Sequence, residues 1–103
     1  MVNKFLEKRV EIEFEGNNQR QGNSLELEYY LLESEYADKV ENVTQKIYGI
    51  EIVKKHQGIL NERKKFENIF NTREKTKNLV ELLADNTVTP STLTYVLDDL
   101  LGM

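Results

Sequence analysis

An α+β fold is what this sequence predicts: an antiparallel sheet of three or four strands in meander order, followed by two C-terminal α-helices packed on one sheet face. Three observations carry that expectation. From Leu6 to about Phe70 apolar and polar residues alternate, and from Asn71 onward the apolar residues recur at helical spacing. The strand-like runs come as a group before the helical ones, which favours α+β over a parallel α/β arrangement. A length of 103 residues fits a single domain, residues 1–70 supplying the sheet and residues 71–103 the helices.

Each element has its own signal. Val10, Ile12 and Phe14 alternate with Glu11, Glu13 and Glu15, as in a half-buried strand. The segment EGNNQRQGNS, Glu15 to Ser24, reads as a turn, and Leu25, Leu27, Tyr29 and Leu31 form a second alternating run. Together they predict an antiparallel hairpin. Residues 33–43 read as a loop with one helical turn, from the spacing of Tyr36, Val40, Val43 and Ile47. Residues 46–55 form a third strand with Tyr48, Ile50 and Ile52 on its inner face, and Gly49 marks a bulge or a close backbone approach. His56-Gln57-Gly58 supplies a turn, and residues 62–69 a fourth strand with Phe66 inward. The run Arg63-Lys64-Lys65 suits a sheet edge.

The helices carry punctuation. Asn71 stands three residues before Glu74, a variant of the capping box. Thr76, Leu79, Val80 and Leu83 follow as an apolar stripe that Leu82 widens, and Asp85-Asn86 ends the helix, Asn tolerating the left-handed conformation. In VTPSTLTYVLDDLL, Thr89 is the expected N-cap and Pro90 the first helical residue. Val88 and Leu93 are placed for a hydrophobic staple, and Leu93, Val96, Leu97, Leu100 and Leu101 form the core stripe.

Composition limits the chemistry. With 39% hydrophobic and 31% charged residues the chain is polar yet within the globular range. There is no cysteine, which removes disulfides, thiol nucleophiles and cysteine-based metal sites. That absence, with no apolar leader and no run of about 20 apolar residues, gives the cytoplasm as the expected location and no membrane role. A net charge of −4 argues against nucleic acid as a general partner.

YYLLE at 29–33, YGIEIVKK at 48–55 and LLADNTVTPSTLTYVLDDLL at 82–101 resemble a family of small clostridial (Firmicutes) proteins known only as a domain of unknown function. The resemblance runs from the second strand to the end and is sharpest at Asn86 to Pro90. It implies a cytoplasmic protein of a low-GC Gram-positive bacterium or of one of its mobile elements and brings no activity with it.

Each candidate residue also has a plainer role. His56, the single histidine, has no second imidazole or thiol to complete a metal set and reads as a surface turn residue. Glu11, Glu13, Glu26 and Glu28 fall on the outward face of the first hairpin, where carboxylates side by side would suit a divalent cation. A flat face converges ligands poorly, and neighbouring Lys8, Lys54 or Arg20 would neutralise them. Asp98 and Asp99 read as a polar helix face. Arg63, Lys64, Lys65, Arg73, Lys75 and Lys77 could form one patch at the strand–helix junction, the alternative being a nucleic-acid-associated regulator. Tyr30, Leu32 and Val53 lie on the sheet face away from the helices, where apolar residues mark a partner or self-association surface unless the 33–46 loop covers them. The expectation is a non-enzymatic protein that works by protein binding or self-association, with no cofactor, metal or small-molecule ligand.

Overall fold

A computed structural model describes residues 2–14, 23–38, 40 and 43–102. Four strands, β1 (Val2–Phe14), β2 (Asn23–Asp38), β3 (Val43–His56) and β4 (Ile59–Phe70), pair antiparallel in sequence order. Helices α1 (Arg73–Asp85) and α2 (Leu93–Leu101) follow. The expected α+β meander with two C-terminal helices is therefore the fold. The expected first turn, at residues 15–22, lies outside the described residues.

The register assigns each side chain to a face, because directly paired residues point the same way. Leu27 opposite Val10, Tyr29 opposite Ile52 and Leu31 opposite Ile50 turn toward the helices. Leu27, Tyr29, Ile50 and Ile52 meet Leu79, Val80, Leu83, Val88, Leu93 and Leu97 in one core. The Tyr29 hydroxyl donates to the Val88 carbonyl at 2.8 Å, tying the interhelical link to the sheet, and burial pushes its pKa up to about 12.

Residues 33–38 and 43–46 are strand, not loop. Β2 continues to Asp38 and β3 begins at Val43, so both strands are longer than their patterns suggested. Beyond Ser34 this hairpin is a two-stranded arm whose residues Glu35, Tyr36, Val43 and Thr44 are exposed. With neither face buried, there is nothing to impose an alternating pattern. The sheet accordingly outreaches the helices, giving extents of 63 × 27 × 18 Å.

Bulges adjust the faces. An extra residue at Glu7 puts Leu6 with Tyr30 on the open face and Lys8 with Tyr29 on the helical one. Between Phe66 and Phe70, β4 carries three residues opposite Gly49 alone, with Asn68 at φ 59°. A Cβ at Gly49 would collide with the Phe66 carbonyl oxygen and lie 2.7 Å from the Glu67 Cα. Both expected roles of that glycine, bulge and close approach, hold. Gln57 (φ 52°) and Gly58 (φ 79°) form the tight β3–β4 turn, both positive as a two-residue I′ hairpin requires.

The helix ends differ in detail. Thr72 rather than Asn71 is the N-cap of α1, and no side chain caps it; the Thr76 hydroxyl donates back to the Thr72 carbonyl instead. At the other end the left-handed residue is Thr87 (φ 52°), not Asn86 (φ −99°). Thr87 N–H donates to the Ala84 carbonyl and Val88 N–H to that of Leu83, a Schellman closure with both Val88 and Leu83 in the core. Helix α2 starts three residues later than Pro90 suggested. Thr92 and Leu93 donate to the Thr89 and Pro90 carbonyls, closing a tighter turn before the first α-type bond, Val96 to Thr92. Val88 and Leu93 are both buried, as a staple would place them.

Candidate functional site on the sheet and between the helices

Tyr30, Leu32 and Val53 do share the open face, which no helix covers. Their surroundings are mixed: Leu6, opposite Tyr30, and Val2 share this face and are exposed. Leu32 is 3% exposed and Val53 5%, and residues 33–38 and 43–46 run on as strand rather than folding over them. Long charged side chains from adjacent positions close over this face. Glu51, itself 4% exposed, receives Lys4 at 3.1 Å from β1 and Arg63 at 3.5 Å from β4. The Lys4 ammonium also lies 4.2 Å over the Tyr30 ring. Lys4, Leu32, Glu51, Arg63 and Lys65 line a shallow hollow of about 280 Å³ there.

Beside it, Glu28 accepts the Tyr30 hydroxyl at 2.8 Å and the Lys55 ammonium at 3.3 Å. Burial alone would raise the Glu28 pKa, but these two donors outweigh it and hold the carboxyl below its usual value. Burial, then the Glu28 bond, pushes Tyr30 up to about 12. Glu11 stands opposite Glu26 as expected, and Arg9 neutralises Glu26 at 2.7 Å. Arg9 and Lys55 therefore do what was expected of Lys8 and Lys54, which face the helices; Arg20 lies outside the described residues. Among the described residues no cluster of three or more His, Asp or Glu is placed to hold a metal ion.

The basic residues do not form one patch. Arg63 and Lys65 face outward with Glu51 and Glu67 as partners, whereas Lys64 faces the helices beside Phe66. Arg73 sits across the sheet, 3.4 Å from Glu33 and over the Phe5 ring, and Lys77 is exposed on α1. His56 is exposed at the end of β3.

A second exposed apolar surface lies between the helices. Helices α1 and α2 and their link enclose a groove of about 710 Å³ floored by Leu83 and Val88. Its walls are Leu82 (43% exposed), Tyr95 (77%), Val96, Leu100 (46%) and Asp99. Leu82 and Leu100 had read as parts of core stripes. Leu93 and Leu97 fill the inward line of α2, so Leu100 turns to the groove shared with α1. Tyr95, outside the stripe, was the available signal: a large aromatic on the wrong face of a short helix.

Residues 8–103 match DUF6514, described as a family of unknown function. No curated protein and no solved structure matches the chain. No helix among the described residues is long and apolar enough to cross a membrane.

Proposed function

We propose, for a chain that belongs to the DUF6514 family and inherits no activity from it, a non-enzymatic role in binding another protein through the groove between α1 and α2. One observation carries this reading. A small domain with its core already filled leaves Leu82, Tyr95 and Leu100 exposed side by side along one trough. Contiguous exposed apolar surface of this kind marks interaction sites. The open sheet face supports the reading by contrast, since Glu51 and Glu28 are matched by cations there and Leu32 and Val53 are buried. Chemistry has little purchase on that face, where Glu28 and Glu51 are engaged by hydrogen bonds and ion pairs and the hollow that Glu51 lines is shallow.

Photo-crosslinking in the source cell tests this. A photoreactive residue at Tyr95 is expected to give a discrete protein adduct that disappears when Leu82 and Leu100 become Asp. The same probe at Glu11, on the sheet face, is expected to give none. Adducts from Glu11 alone, or none from either position, would overturn the proposal.

A further inference from the structure

The net charge of −4 is not spread over the molecule. Residues 78–103 contain Glu81, Asp85, Asp98 and Asp99 and no Lys, Arg or His, while residues 1–77 hold all 14 basic groups against the 14 other carboxylates. The entire imbalance therefore sits in the segment that builds the groove. Asp99 stands in its wall, Asp98 beside it in α2, and Asp85 immediately precedes Asn86, another lining residue. Among the described residues no basic side chain lines it.

A second observation has the same sign. Neither helix has a basic residue in its last turn, and the side chain that meets the α1 terminus, the Asn86 amide donating to the Leu82 carbonyl at 2.8 Å, is neutral, so no positive charge of either helix faces its negative dipole end. The C-cap of α1, Asn86, is itself part of the groove wall. An apolar trough with Asp99 in its wall, on a segment that carries four carboxylates and no basic residue, favours an apolar occupant with cationic borders. A groove with apolar residues of two helices in its walls suits an amphipathic helix, whose anchors at i, i+3 or i+4 and i+7 present one apolar row.

We infer that the groove receives a basic amphipathic helix of a partner protein: leucine-like anchors against Leu82, Val96 and Leu100, and flanking Lys or Arg toward Asp99, Asp98 and Asp85. The inference rests on the groove being a protein-binding site and adds the chemical class of its occupant. The cations speed encounter and exclude acidic helices, which like charge repels; the anchors hold the bound state.

Three synthetic helical peptides of about 18 residues, roughly five turns, test it against the full-length chain. They share one leucine stripe and differ in flanking residues: Lys/Arg, Gln or Glu. Titration calorimetry and chemical-shift mapping are expected to show the Lys/Arg peptide binding about tenfold or more tightly than the Gln peptide, with shifts at Leu82, Val96 and Leu100 and no binding of the Glu peptide. Raising salt to about 0.5 M should remove most of that advantage. Asp98→Asn with Asp99→Asn should weaken the Lys/Arg peptide about tenfold and leave the Gln peptide unchanged. Both aspartates are exposed, and it is the Asp98 backbone carbonyl, unchanged by the substitution, that accepts the Gly102 N–H, so the fold tolerates the change. If the Gln or Glu peptide binds as tightly as the basic one, the charge argument fails while the groove remains a binding site. If no peptide binds, or shifts map to the sheet, both the inference and the site fail. A dimer in sedimentation that Leu100→Asp dissolves would assign the groove to a second copy and overturn the basic-helix occupant.

Discussion

Thr87 holds a left-handed conformation (φ 52°) that β-branched side chains resist, at a cost of roughly 1–2 kcal/mol. It does so because Val88 must reach the core while its carbonyl meets Tyr29, and the Schellman closure is the short way there. Thr87→Gly removes the strain at some cost in unfolded-chain entropy. The expected result is a gain of about 0.5–1 kcal/mol, visible as a rise of several degrees in Tm by calorimetry; an unchanged or lower Tm would count against strain at this position. The sequence placed the helix end at Asp85-Asn86 correctly and assigned the left-handed residue one position early. Asn carries the composition signal for that conformation, and only the hydrogen bonds to the Ala84 and Leu83 carbonyls reveal that Thr adopts it.

Among elements, the three strands β1, β3 and β4 are joined across the open face by Glu51, which bridges Lys4 and Arg63. The partners are unequally exposed: the Glu51 side chain is 5% accessible, those of Lys4 and Arg63 40% and 59%. Losing the anion frees two cations that water can solvate; losing both cations strands a buried anion. Glu51→Gln is therefore expected to cost about 1 kcal/mol or less, and Lys4→Met with Arg63→Met about 3 kcal/mol, by urea denaturation. Equal costs would show that burial of Glu51 does not set the balance. Alternation made the strand cores legible because β2 and β3 pack a face against helices. The arm beyond Ser34 was read as a loop because it packs neither face, and Leu100 was read as core because periodicity fixes an angle around the helix, not what stands opposite. Tyr30, Leu32 and Val53 were assigned to the right face; their screening by charged neighbours depends on register, which one strand's sequence does not show.

For the whole molecule, ionisation bounds the pH range of stability from both sides. The Glu28 carboxyl is held below its usual value of 4.5, so its contribution is complete above that pH and is lost as pH falls through the depressed folded-state value. Tyr29 and Tyr30 are raised from 10 to about 12, so their contribution is complete below pH 10 and fades as pH climbs toward 12. Tm should be flattest between about pH 5 and 9 and fall at both limits, the alkaline fall coinciding with tyrosinate absorbance. Glu28→Gln should soften the acid limb and leave the alkaline one, measured by Tm across pH. An acid limb identical to the parent's would remove Glu28 from this account.

The bulge facing Gly49 has a consequence for how chains of this family can diverge. β4 has two residues more than β3 needs between Phe66 and Phe70, and that surplus presses its backbone onto position 49. Removing two residues there would restore regular pairing without exchanging the faces of the strand, because side chains alternate with period two. Loss of the glycine and a two-residue shortening of β4 are thus coupled evolutionary events: a homologue with a side chain at the position of Gly49 should carry the shorter fourth strand.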